Sequence, residues 1–296
     1  MNTKTIIQTR CGAIECRSVG QGPAVLVLHG GHMNCDSEFE HEQFFLRCGF
    51  RLLIPSRPGY GATPSATGRS AEAFAEALIA LLDSLAIDQV VVFAFSAGGR
   101  TATQLASRHP ERVRLLILEC AVTSDQWPGK QLADTARIAF HPRMERVTWS
   151  LVRWMGHIAP TKALTLMMGS FTTCRPATVV AAMAPSDRQA ALHFIMGLRS
   201  GEGFMNDITH VCGDLGRIDA PTLIIHSEVD AGAPFVHALY AQRHIRHATL
   251  FITTARSHLV WYGPSLNEIE VRLAQFLHVA SGISHSKLQK EHTHVN

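Results

Sequence analysis

No apolar run in this chain approaches the length of a membrane span. Runs such as Ala24–Leu28, Val90–Ala94 and Leu115–Leu118 fall far short of the roughly 20 residues a helix needs to cross a bilayer. The opening residues, Met1-Asn2-Thr3-Lys4-Thr5, hold no apolar core of the kind a secretory leader carries. Charge of one sign is also scarce. The chain has 27 Lys and Arg against 24 Asp and Glu, a net charge of +3, and no basic block precedes the tail. Nucleic acid is therefore not an expected partner. Cys-x-x-Cys is absent. The seven cysteines, Cys11, Cys16, Cys35, Cys48, Cys120, Cys174 and Cys212, are odd in number and scattered, so reduced thiols and a cytoplasmic location are expected. There are 17 histidines, and His244 and His247 stand close together. No His/Cys/Asp cluster has ligand spacing, and no metal is expected. There is no internal repeat.

Apolar residues and alternating elements are abundant. With 296 residues, 46% of them hydrophobic, the chain can fill a large core. Ile6–Gln8 and Ala13–Arg17 read as a hairpin around Cys11-Gly12, and Ala24–Leu28 as a buried strand after the turn Gly20-Gln21-Gly22-Pro23. A helix over Glu38–Arg47 and a strand at Arg51–Ile54 follow. Ser70 is a candidate cap for helix Ala71–Leu85. Strand Gln89–Ala94, helix Ala97–Arg108 and strand Arg114–Leu118 come next. The pattern predicts an α/β fold, a mostly parallel sheet with helices on both faces. From about Thr123 the alternation stops. Trp127–Arg199 reads as helices interrupted by Pro142, Pro160, Pro176 and Pro185. Strand Pro221–His226, helix Pro234–Arg243, strand Ala248–Ile252 and helix Ser265–Val279 then complete the sheet pattern. The expected organisation is a core domain of residues 1–122 and 206–280, a helical lid over 123–205, and a polar, disordered tail over 281–296. Such an insertion would hang over the carboxyl ends of the strands, where open α/β sheets bind ligands.

One serine stands out. Ser96 lies in Ala94-Phe95-Ser96-Ala97-Gly98-Gly99, between an apolar strand and a helix. A nucleophile elbow needs that order: the chain turns sharply and lifts a strained hydroxyl above the sheet. The turn leaves little room two residues before and after the serine, and Ala94 and Gly98 meet that demand. A nucleophilic serine needs a base, and the base an orienting acid. Asp230 follows the strand ending at His226, and His258 follows the strand Ala248–Ile252. All three fall in loops at carboxyl ends of strands and can converge on one edge.

With these residues in place, the chain resembles the α/β-hydrolase fold family, in its serine-nucleophile, lid-bearing, esterase-like form. The likeness rests on Leu28-His29-Gly30-Gly31, Ser56-Arg57-Pro58-Gly59-Tyr60-Gly61, the Ser96 elbow, the Asp230 loop and Ser257-His258-Leu259-Val260-Trp261. It covers nearly all of the chain outside the tail and implies an eight-stranded type of sheet. Three positions depart from the family pattern: Ala94 for glycine, the loop at Arg57 where relatives commonly have aspartate, and Ser257 for glycine. The resemblance implies that Ser96 attacks an acyl carbon, His258 shuttles its proton, Asp230 orients His258, and the amides of Gly31 and Ala97 form an oxyanion hole. It implies no cofactor. The expected partner is a small, largely apolar acyl substrate, with a homodimer as an option and no membrane. Haloalkane dehalogenases and epoxide hydrolases of this fold attack with a carboxylate, which Ser96 is not. Proline iminopeptidases continue the His29 loop as Gly-Gly-Pro-Gly, which this chain does not. C–C bond hydrolysis of dienoic ring-cleavage products, cofactor-free haloperoxidase chemistry and a non-catalytic ligand receptor stay open beside ester hydrolysis.

Other residues have plainer readings. Some relatives place the triad acid at the sixth strand, making Glu119 a rival to Asp230; otherwise Glu119 is a polar strand end facing solvent. His29 reads as a buried structural histidine under the oxyanion loop, and His32 as an exposed loop residue that could touch substrate. Cys35 and Cys120 read as buried structural thiols. Asn206-Asp207 reads as lid anchoring or pocket lining, and Met167-Met168 and Phe194–Met196 as core or pocket wall.

Overall fold

The computed structural model describes residues 2–127 and 129–281. The chain opens with the antiparallel hairpin β1 (Asn2–Thr9) and β2 (Gly12–Gly20). β3 (Ala24–Leu28), α1 (Glu42–Arg47), β4 (Arg51–Pro55), α2 (Ala71–Ser84), β5 (Val90–Phe95), α3 (Gly98–Arg108) and β6 (Val113–Glu119) follow in alternation. Ser70 caps α2, its hydroxyl accepting from the Ala73 amide at 3.1 Å. β7 (Thr222–His226), α10 (Val236–His244), β8 (Ala248–Ile252) and α11 (Ser265–Ser281) close the chain, with a helical segment between β6 and β7. All but the first residue of the expected tail lies outside the described residues.

The sheet has eight strands in the order β1-β2-β4-β3-β5-β6-β7-β8. β1, β2 and β4 pair antiparallel, and β4, β3, β5, β6, β7 and β8 pair parallel. Alternate residues of β5 feed two cores. Val91, Phe93 and Phe95 join one face, and Val90, Val92 and Ala94 the other. Burial on both faces is why the parallel strands read as continuous apolar runs rather than alternating ones. From β3 the chain moves outward to β4, then returns to β5 on β3's other side. That reversal opens a crevice at the carboxyl ends of β3 and β5, where the Gly30–Gly31 loop and Ser96 emerge.

Between β6 and β7 lie α4 (Lys130–Ala139), α5 (Glu145–Ile158), α6 (Pro160–Met168), α7 (Pro176–Ala182), α8 (Pro185–Gly197) and α9 (Gly203–Asp207). Pro160, Pro176 and Pro185 begin α6, α7 and α8. The first helical position is where a missing N–H costs nothing. The helix expected over 38–47 shortens to its second half. Phe39 leaves the helical register to pack on Phe93 and Phe95, and His41 to bond Glu119.

Candidate active site

Ser96 sits at φ +52°, in the left-handed region, a conformation that costs a non-glycine residue free energy. Surrounding bonds impose it. The Ser96 carbonyl accepts from the amides of Gly99 at 3.1 Å and Val122 at 2.9 Å, and its own amide donates to Glu119 O at 3.3 Å. The small residues after it are required by contact. A Cβ at Gly98 would lie 2.3 Å from the Leu28 carbonyl oxygen, and one at Gly99 2.6 Å from that of Val122. The start of α3 is thus wedged between the ends of β3 and β6. The Ala94 methyl is fully buried.

Asp230 and His258 meet. His258 Nδ1 lies 2.7 Å from Asp230 Oδ2, and Asp230 Oδ1 accepts from the Ala233 amide at 2.9 Å. Burial opposes ionisation of Asp230, but His258 and His226 outweigh it and hold the carboxyl well below the usual carboxylate range. An ionised Asp230 can only accept, so Nδ1 of His258 carries the hydrogen and Nε2 is the basic nitrogen. The ring is fixed by its backbone, which donates to Phe171 O at 2.7 Å, and by stacking on Phe171. It also passes close over Gly232, where a Cβ would come within 2.9 Å of the ring.

The Gly30–Gly31 peptide is held from below. Arg57 N–H donates to His29 Nε2 at 2.9 Å, so His29 Nδ1 carries the hydrogen and donates to Gly30 O at 2.8 Å. Arg57 Nη2 donates to the same oxygen at 3.0 Å. In a planar trans peptide the next N–H points the opposite way, so the Gly31 amide faces away from this anchor. Among the described residues neither the Gly31 nor the Ala97 amide has an intramolecular acceptor. Burial, reinforced by the Arg57 charge, pushes His29 down to about 3. It is the neutral structural histidine its sequence position suggested.

Arg57 is itself locked by Asp207. Two guanidinium nitrogens reach the carboxylate, one at 2.7 Å, and the Tyr60 hydroxyl donates to it at 2.6 Å. Burial resists ionisation of Asp207, but Arg57 prevails and holds its pKa below the ordinary value. Asn206 donates to Gly68 O at 3.1 Å. The Asn206-Asp207 pair therefore fastens the segment between β6 and β7 back onto the sheet domain.

Two plain readings are corrected. Glu119 is not a solvent-facing strand end. It is 1% exposed, and its carboxylate lies 2.8 Å from His41 Nε2; the carboxylate in contact with His258 is that of Asp230. His32 is not an exposed loop residue. Its ring stacks on Phe204 with centroids 3.9 Å apart, and its Nδ1 is 2.8 Å from the Ser200 hydroxyl. Burial pushes it down to about 3. Cys35 and Cys120 are buried thiols as expected; burial raises both, Cys35 to about 11.

Ser96, His258, Gly31 and Ala97 all line one cavity of about 150 Å³. Its other walls are mostly apolar and aromatic, with Trp127, Phe140, Trp149, Phe171, Phe204 and Trp261 among them, and His32 and Ser170 add polar groups. Among the described residues no Lys, Arg, Asp or Glu lines it. Met167 and Phe194 line it too, whereas Met168 is core. The aromatic wall was missed in the sequence. Its one signal was the composition: three of the four tryptophans contribute to it. All seven cysteines are free.

Comparison with known proteins gives the family of the fold. The family model described as the alpha/beta hydrolase fold matches residues 23–262, and the chain belongs to that family. It is 34% identical over 271 residues to YcgS of Bacillus subtilis, described as an uncharacterised hydrolase, covering 90% of this chain and 95% of that one. It is 32% identical over 190 residues to a pimeloyl-[acyl-carrier protein] methyl ester esterase of Aromatoleum aromaticum, covering 57% of this chain and 74% of that one. Among solved structures, an alpha/beta hydrolase fold protein from Nakamurella multipartita superposes with a TM-score of 0.78 at 25% identity, over 95% of this chain and all of that one. The chain is an α/β-fold hydrolase.

Proposed function

We propose that this protein is a serine esterase that hydrolyses a small, uncharged, largely apolar carboxylic ester through an acyl-enzyme. The observation that carries the reading is the neutral cavity shared by Ser96, held at φ +52°, and His258, held by Asp230 at 2.7 Å. In the proposed cycle His258 Nε2 takes the Ser96 proton as the hydroxyl attacks the acyl carbon, then hands it to the departing alcohol. Asp230 stays ionised and stabilises the imidazolium. The Gly31 and Ala97 amides receive the tetrahedral oxygen, the second from the positive end of α3. Water then enters by the same path and releases the acid.

The lining favours esters over the other chemistries of this fold. Dienoic ring-cleavage products carry a carboxylate, and among the described residues no Lys or Arg lines the cavity to receive one. Likeness to a methyl ester esterase supports an ester with a small alcohol. We assign residues 123–205 the role of a lid, because Trp127, Phe140, Trp149 and Phe171 cover the cavity from that segment. No cofactor enters the scheme.

A fluorophosphonate probe should label Ser96, located by peptide mapping, and Ser96→Ala should lose both labelling and p-nitrophenyl ester turnover. Turnover that survives Ser96→Ala sinks the assignment. A series of p-nitrophenyl esters of rising acyl length, run beside a dienoic ring-cleavage substrate, reads the substrate class.

A further inference from the structure

Helix α5 carries an apolar stripe on the side away from the cavity. Met144, just before it, and Val147, Leu151, Trp154 and Ile158 are each 46% to 60% exposed. Their spacing of three, four, three and four residues keeps them on one face along about 20 Å of helix. The opposite face is occupied: Trp149 is buried against the cavity and its indole donates to Ser200 Oγ at 2.7 Å. Soluble proteins seldom leave such a contiguous apolar stripe uncovered.

The charges beside the stripe have one sign. Across residues 137–169 the single acidic side chain is Glu145, which is buried and accepts from the Ser200 amide at 3.4 Å. Arg143, Arg146, Arg153 and Lys162 lie in the same stretch, Arg143, Arg146 and Lys162 exposed and Arg153 half-buried. A second copy of the chain would bring the same stripe with the same cations. A symmetric helix pair would then set basic residues against basic residues, with no exposed carboxylate on either helix to answer them. A surface that offers both apolar depth and negative charge fits instead. Such surfaces receive helices with a cationic polar side and a tryptophan-bearing apolar face lying in the plane of the interface.

We propose that α5 docks this protein reversibly on an anionic lipid surface, with Val147, Leu151 and Trp154 entering the headgroup–acyl boundary and the flanking arginines meeting lipid phosphates. Trp149, on the opposite face of α5, then keeps the cavity on the far side of the helix from the lipid. The docking does not depend on the reaction assigned to the cavity.

The test is co-sedimentation of the purified protein with vesicles. Binding to phosphatidylcholine containing about a third phosphatidylglycerol should exceed binding to phosphatidylcholine alone by tenfold or more, and should fall as salt is raised. Leu151→Ser with Trp154→Ser should lower binding at least tenfold while thermal melting stays as in the parent, since both residues are exposed. Arg143→Gln, Arg146→Gln and Arg153→Gln together should remove the preference for anionic vesicles. The proposal is overturned if the parent protein stays in solution with anionic vesicles, or if the Leu151/Trp154 variant binds as the parent does. It is overturned as well if sedimentation analysis without lipid shows a dimer that the same variant abolishes. Equal binding to both lipid compositions refutes the ionic part.

Discussion

Replacing Arg57 by methionine tests how the Gly30–Gly31 peptide is held. Arg57 and Asp207 are buried, with side chains 1% and 2% exposed. Removing one member of such a pair strands a charge in the interior and costs about 3–5 kcal/mol. That is a large part of the roughly 5–15 kcal/mol that stabilises a typical domain. The same change removes one of two donors on the Gly30 carbonyl, leaving only His29. Outright loss of an oxyanion donor costs about 10²–10³ in turnover; loosening one should cost about 10- to 100-fold. Stability and turnover separate in the double variant Arg57→Met/Asp207→Asn. Both charges are then gone, and the amide oxygen still accepts from Tyr60. Most of the lost stability should return, because removing a buried pair together is close to neutral. Turnover should stay low, because the Gly30 carbonyl still lacks its second donor. Urea unfolding and kcat on a p-nitrophenyl ester give the two readouts. Recovery of kcat in step with stability would show that the pair serves folding alone. A single variant as stable as the parent would refute the burial argument itself.

Three further outcomes follow from the site. Asp230→Asn should lower kcat by about 10⁴ through loss of the correct histidine tautomer, while Glu119→Gln, which touches His41, should act mainly on stability; the reverse pattern in steady-state assays contradicts the acid assignment. Ser96→Gly should be inactive yet about 1 kcal/mol more stable than Ser96→Ala, because glycine accepts φ +52° without the steric cost. Equal melting temperatures would deny that strain. Burial pushes His29, His32, His210 and His237 to about 3, 3, 4 and 4, from an unfolded value near 6.5. Their folded values are depressed, so their stabilisation is whole above about pH 6.5 and is lost as pH falls toward those values. Four protons taken up on unfolding give a slope approaching about 5 kcal/mol per pH unit near pH 5. A urea midpoint that stays flat from pH 6.5 to 4.5 is the refuting result.

Much of the fold was legible in the chain because the elements are locally encoded. β8 has the limits expected of it, and the strands of the parallel sheet differ by a residue or so, since each is a short apolar run bounded by turn residues. The order of Ser96, Asp230 and His258, each after a strand, was legible for the same reason. The helix before β4 was not: Phe39 and His41 satisfy helical periodicity, but Phe93, Phe95 and Glu119 offer them better partners. Nor was the state of His32, since only the fold brings Phe204 from more than 170 residues away to stack on it.

By itself the sequence determined the alternation of strands and helices, the helical break at Thr123 and the small residues flanking Ser96, because these depend on near neighbours and periodicity. Tertiary structure alone decided which carboxylate meets His258, what holds the Gly30 carbonyl and how neutral the cavity is. Those contacts join residues far apart in the chain. Asp230 and Glu119 are alike as residue types, and what separates them is that one loop ends beside an imidazole of β8's loop and the other strand ends beside His41.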